Sequence, residues 1–299
     1  MMESNRIDGT AGAGALATEV NTAADAAPRQ APSSRGAMWL RLLTGGADAL
    51  HDWPAVRVCD APLKGQPARW IAVVPDPSNR FPRARTGEVG LVEGWQLAQA
   101  VQEVIEMDRD AAVRRPIVAV IDAPSQAYGR REEAFGIHQA LAGAAGAYAE
   151  ARLAGHPVIG LVVGLAMSGA FLAHGYQANR LIALDDPAVM VHAMGKASAA
   201  RVTLRSVDAL ERLAASVPPM AYDLRSFATL GILWRVLGLT DPALPDEQDL
   251  ALVHGALEDA LADILADPER GLEGRLQGRH RQASRRVHAL LEAQWEAAD

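Results

Sequence analysis

Two short segments hold residues suited to binding or catalysis. "DAPSQAYG" (122–129) and "GLAMSG" (164–169) each follow an apolar run and mix small residues with polar ones. Three chemistries compete for the second segment. Gly164 and Gly169 supply the spaced glycines of a phosphate-binding loop, but Ala170 and Phe171 stand where that loop needs lysine and Ser/Thr. Nucleotide hydrolysis therefore lacks its main charge stabilisers. Alternatively, Ser168 between Ala166 and Ala170 has the small-x-Ser-x-small shape of a nucleophile elbow. His174, His192 and His254 are then candidate bases, with Asp185 or Asp186 to orient one. His174 follows Ser168 on the same expected helix, pointing away from its start, which counts against it. The third chemistry fits best. Ser168 and Gly169 fall where a helix begins, so their N–H groups are placed to hold an anion formed during reaction, with no reactive side chain needed. On this view the Ser168 side chain simply caps the helix.

These segments need a scaffold that brings them together. Pro116–Ile121, Pro157–Val163 and Arg180–Leu184 are apolar without alternation, as in strands covered on both faces. Shorter strands are expected over Arg69–Val74 and Ala188–His192. Helical spacing of Leu97, Val101, Val104 and Ile105 and an Ala-rich stretch over Arg131–Ala154 supply the crossovers. Strand, helix, strand, helix, strand predicts a parallel sheet whose strand carboxyl ends gather both segments at one edge. The last third reads as mainly helical, clearest over Asp246–Asp267 and Gln282–Glu296. Residues 1–36 are rich in Ala, Gly, Ser and Pro and read as a disordered extension before a domain over 37–299.

The 299 residues carry 29 basic and 36 acidic side chains, a net charge of −7, which argues against nucleic acid as the main partner. The single cysteine, Cys59, excludes an internal disulfide and a cysteine-based zinc site, and reads as a buried inert thiol. No metal site is expected. No apolar run is long enough to span a membrane, and no secretory leader pattern opens the chain, so a cytoplasmic protein is expected. A loop over Ser78–Gly90 holds Arg80, Arg83 and Arg85, suited to phosphates, a partner's carboxylates or solvent alone. His138, His156 and His174 read as core or surface histidines.

The stretch from "IDAPSQAYGRREEAFG" to "AVMVHAMGKASAARV", with "PDPSNRFPRARTGEVGLVEGW" before it, resembles the gamma-subunit family of biotin-independent malonate decarboxylases. That family is similar to the second half of the acyl-CoA carboxylase carboxyltransferases. Asp122, Pro124 and Gly129 match the family's first loop, where Ser125 replaces its usual glycine. Ser168-Gly169-Ala170-Phe171 fills the place of its Gly-Gly-Ala loop, and Met194-Gly195 matches a later Met-Gly. The likeness covers roughly Trp39 to Val236.

The resemblance implies an α/β crotonase-like (ClpP/crotonase) fold with stacked βαβ units and a helical C-terminal part. It implies a carboxy-lyase acting with a beta subunit on malonyl-S-acyl carrier protein, giving the acetyl thioester and carbon dioxide. The substrate rides on the carrier's phosphoribosyl-dephospho-coenzyme A arm; no cofactor binds this chain directly, and no biotin takes part. Partners are the beta subunit, the acyl carrier protein subunit and the acyl carrier protein transferase subunit. The expected catalytic set is Ser168, Gly169, Gln126, Ala127, Tyr128 and His192. The Ser168 and Gly169 amides face the malonyl carboxylate, and Tyr128 and His192 are candidate proton donors. Ser125, Gly129, Arg130, Gly164, Gly195 and Lys196 are expected to bind substrate or carrier. Two rivals stand beside this: a serine hydrolase using Ser168, and a non-catalytic structural subunit.

Overall fold

The apolar runs become the inner strands of one sheet. The structure is a computed structural model and describes residues 35–267, 269 and 271–297. The expected extension lies outside those residues, except for Arg35 and Gly36, which open helix α1 (Arg35–Leu43). A hairpin of β1 (Val56–Leu63) and β2 (Gln66–Val73) forms one edge. Lys64 and Gly65 turn it, both at positive φ (51° and 74°), as a two-residue hairpin loop requires. From β2 the sheet continues in parallel through β3 (Ile117–Ala123), β4 (Val158–Met167), β5 (Arg180–Leu184) and β7 (Arg235–Leu237). β6 (Met190–His192) leaves this path and pairs with the far end of β4, over Leu165–Met167. All of β3 and β4 is buried, which is why neither alternates.

Helices cover both faces. α2 (Leu91–Met107) packs on α4 (Ile137–Leu153) where Gly94 lets the backbones meet; a Cβ there would stand 2.8 Å from the Ala140 carbonyl. Trp39 of α1 is fully buried and donates its indole N–H to the Pro242 carbonyl. α9 (Glu247–Ala266) begins at Asp246, whose carboxylate accepts the Asp249 N–H as an N-cap. Shorter helices are α3 (Arg130–Ala134), α5 (Ser168–Ala173), α6 (Lys196–Val202), α7 (Val207–Ala214) and α8 (Leu224–Ala228). α10 (Gln282–Glu296) buries none of its residues and leaves Val287, Leu290, Leu291 and Trp295 in solvent. Those positions recur at helical spacing on one face.

The sequence expectations need three corrections here. The helix expected over 131–154 is two, because Gly136 takes a left-handed conformation (φ 81°) between α3 and α4. The strand expected to stop at Val163 runs to Met167, kept extended by its pairing with β6. The strand expected to stop at Ile121 runs to Ala123, so Asp122 is a strand residue. The C-terminal third is mainly helical as expected, and also holds β7, whose three residues are too short for a periodicity signal.

Candidate functional site

The two segments do meet at one edge, joined by Gln126. β4 ends at Met167 and the chain turns sharply at Ser168, whose φ is 59°. For a residue with a Cβ this conformation costs about 1–2 kcal/mol, and it aims the following amide outward from the strand end. The Gly169 N–H donates to Gln126 Oε1 at 2.9 Å, and Ser168 Oγ donates to the same oxygen at 3.3 Å. Residue 169 must be glycine for this contact, because a Cβ would stand 2.1 Å from Gln126 Oε1 and 3.3 Å from Leu141 Cδ1. The expected bare amide thus has a carboxamide oxygen in front of it. The Ser168 side chain does not cap α5; Met167 holds the N-cap position without a side-chain bond.

A neighbouring segment holds Gln126 in place. Val89 forms a parallel bridge with Gln126: its N–H donates to the Ser125 carbonyl at 3.1 Å, and its carbonyl accepts the Ala127 N–H at 2.9 Å. The Ala127 amide is therefore spent on Val89 and its side chain is buried, so the expected catalytic use of Ala127 gives way to a structural one. Behind this bridge, Glu93 is fully buried. It accepts the Asn79 side-chain N–H at 2.6 Å and the Gly90 N–H at 3.0 Å, and burial pushes its pKa up. Neither Asn79 nor Glu93 stood out in the sequence, where Glu93 reads as one more helix acid.

The other expected site residues lie in varied surroundings. Gly164 lies inside β4, where a Cβ would fall 2.1 Å from Asp122 Oδ1, so the glycine leaves room for that carboxylate. Gly129 is fully extended, and a Cβ there would meet Glu132 at 2.5 Å and Arg83 at 2.8 Å. Lys196 pairs with Glu211 at 2.8 Å on the surface, with its ammonium 5.5 Å from the Tyr222 ring centroid. Gly195 is the N-cap residue of α6 and has open space where a side chain would be. Arg130 is exposed at the start of α3, while Arg131 stacks over Phe81 and Phe135. Tyr128 is half exposed on the first segment, its N–H turned back onto the Gln126 carbonyl.

His192 lies on the strand beside the turn. Its backbone is the β6 partner of Met167, the residue just before Ser168. Nδ1 lies 2.9 Å from the Met194 carbonyl and 3.2 Å from the Met194 N–H, and the ring stacks on Tyr222. Burial lowers its pKa, partly offset by the Met194 hydrogen bond. His174, by contrast, is a core residue between Tyr148 Oη and the Val120 carbonyl, each at 3.0 Å. Since a carbonyl only accepts, Nε2 carries the proton and Nδ1 accepts the Tyr148 hydroxyl. No imidazole bonds to Ser168 Oγ, so the Ser–His pair that a hydrolase requires is not formed among the described residues.

Residues 84–295 match the family described as malonate decarboxylase gamma subunit, MdcE. The chain belongs to that family. A Pseudomonas malonate decarboxylase hetero-tetramer in complex with coenzyme A has a chain 63% identical, with a TM-score of 0.85 over 88% of this chain and 100% of that one. A Pseudomonas MdcD-MdcE hetero-dimer matches at 62% identity and a TM-score of 0.81 over the same shares. The malonyl-S-ACP:biotin-protein carboxyltransferase MADD of Malonomonas rubra is 38% identical over 157 residues, 52% of this chain. The chain matches only 54% of that relative's length. Transcarboxylase 12S, at 20% identity and a TM-score of 0.59 over 82% of this chain and 44% of that one, shares the crotonase-like fold. Among the described residues of this gamma-subunit family member, no helix is long and apolar enough to cross a membrane.

Proposed function

We propose that this chain works with a beta subunit to convert malonyl-S-acyl carrier protein into the acetyl thioester and carbon dioxide. The observation that carries the mechanism is the Gly169 N–H aimed at an oxygen acceptor where β4 ends. When the bond to the leaving carboxylate breaks, its electron pair moves into the thioester and an enolate forms. A substrate oxygen takes the place of Gln126 Oε1 on the Gly169 amide, which holds the malonyl carboxylate as it becomes carbon dioxide. That contact orients the carboxylate for departure; the roughly 10²–10³ in rate that one fixed donor is typically worth applies at the enolate oxygen, where charge develops. Proton transfer from His192 Nε2 to the enolate carbon completes the acetyl group.

The carrier's prosthetic arm brings the substrate, with Arg130 at the first turn of α3 beside its phosphates. No biotin enters this scheme. The site has one wall here, and α10 leaves an apolar stripe uncovered; both fit a chain that works inside an assembly with beta, carrier and transferase subunits. The domain over 37–299 acts in the cytoplasm on this reading.

The rival is a structural subunit that contributes no catalytic group. Reconstitution separates the two. The chain alone should not turn over malonyl thioesters and should do so once the beta subunit is added. Gly169→Val should abolish turnover in a heterodimer that still assembles. Normal turnover by that intact variant complex would leave the structural role standing.

A further inference from the structure

His192 is held by a residue far from it in sequence. Tyr222 lies face to face with the imidazole, the ring centroids 3.9 Å apart and the planes 15° from parallel. Its hydroxyl donates to the Met194 carbonyl at 2.8 Å, the same oxygen that lies 2.9 Å from His192 Nδ1. A carbonyl oxygen has two lone pairs, so one acceptor serves both rings. The Met194 N–H, 3.2 Å from Nδ1, would need that nitrogen unprotonated; the shorter carbonyl contact and the imidazolium required of a proton donor put the proton on Nδ1. Among the described residues none hydrogen-bonds to His192 Nε2.

We propose that Tyr222 is a positioning residue for His192, fixing Nδ1–H on the Met194 carbonyl and leaving Nε2 as the proton-transfer atom. The stack sets the plane of the imidazole, and the Tyr222 hydroxyl fixes the oxygen that Nδ1 bonds. In the step itself the Nε2–H bond of the imidazolium breaks and a C–H bond forms on the enolate carbon. The enolate pair becomes that bond, and neutral imidazole keeps its Nδ1–H on Met194; solvent restores the Nε2 proton. The inference rests on His192 as the proton donor.

Two charged groups on neighbouring elements already have partners. Lys196 at the start of α6 is neutralised by Glu211 of α7 at 2.8 Å. Asp223, next to Tyr222 and bridged to Met190 of β6, spends its carboxylate on the Ser226 N–H at the start of α8. Burial remains the main influence on His192, and the Tyr222 ring covers one of its faces.

The test uses the assembled complex with wild type, Tyr222→Leu, Tyr222→Phe and His192→Gln. Tyr222→Leu should lower kcat by about 10–100-fold, as expected for misplacing a general acid. KM should change less than about 2-fold, and the basic limb of the kcat–pH profile should move up as water reaches the ring. Tyr222→Phe keeps the stack but frees the Met194 carbonyl, so its kcat should fall between wild type and Tyr222→Leu, with the limb unmoved. A Tyr222→Leu complex with reduced kcat and an unshifted limb would overturn the proposal, since a merely structural role predicts that result. If His192→Gln turns over like wild type, the proton-donor reading fails. The imidazole titration of His192, followed by NMR on histidine-labelled complex, then still decides whether Tyr222 holds the ring. An unchanged titration in Tyr222→Leu would count against it.

Discussion

The Asp122 carboxylate fills the space in front of residue 164. Its Oδ1 accepts the Leu165 N–H and its Oδ2 the Gly36 N–H, both at 3.1 Å, so one buried side chain ties β4 to the first turn of α1. A Cβ at position 164 would stand 2.1 Å from that Oδ1. Gly164→Ala should therefore displace the carboxylate, break both bonds and cost about 2–4 kcal/mol. Urea unfolding of wild type, Gly164→Ala, Asp122→Ala and the double variant checks this. The two single effects should be strongly non-additive, and simple additivity would show that the residues are not coupled.

Ser168 is expected to be dispensable for turnover, because the Gly169 amide stays where it is without a hydroxyl. Ser168→Ala should keep substantial activity, and serine-directed phosphonates should not label the wild type. Ser168→Gly should also raise stability by up to about 1 kcal/mol, since glycine accepts the left-handed backbone without strain. An inactive Ser168→Ala complex with normal assembly would return the serine to a chemical role.

Tyr128 is half exposed, and its phenol is not needed if His192 supplies the proton. Tyr128→Phe should leave kcat within about 3-fold of wild type, well short of the 10²–10⁴ that general acid catalysis typically contributes. A loss of 100-fold or more would move the donor role to Tyr128.

His174 ties stability to pH. Burial pulls its pKa down from 6.5 to about 4, so the folded chain keeps it neutral while the unfolded chain protonates it below about pH 6.5. The stabilisation is complete above that pH, declines as pH falls and is lost near pH 4, a span of roughly 3 kcal/mol. His174→Gln should be less stable than wild type at pH 7 and should lose less stability between pH 7 and 4. Parallel curves in denaturant unfolding would contradict the assignment.

The parts of the fold that read clearly from sequence are those buried on both faces. Ile117–Ile121 and Val158–Val163 could be placed because nothing in them breaks the apolar run. β1 was hidden because Asp60 and Pro62 interrupt its pattern and its turn is Lys64-Gly65 instead of the more familiar Asn-Gly. Gly164 looked like part of a binding loop because a glycine that makes room for a buried carboxylate is written the same way as one that admits a ligand. Ser168, Gly169 and Gln126 were legible as candidates, but the bond joining them crosses 43 positions and has no local signature. Tyr222 carried no signal at all: its partner is 30 residues upstream, and only the pairing of β6 with β4 brings that partner to the site.

The oxygen of Gln126 gives the Gly169 amide a way to select for charge. Any incoming oxygen must exchange with a carboxamide oxygen already there, so what counts is the difference between two acceptors, not the full strength of one bond. For a neutral carbonyl that difference is close to zero. An ionised oxygen forms a bond roughly twice as strong as a neutral one, and the exchange then runs in its favour. On the proposed reading, uncharged groups gain almost nothing at this amide, whereas a carboxylate or an oxygen acquiring charge during reaction gains about half of the stronger bond.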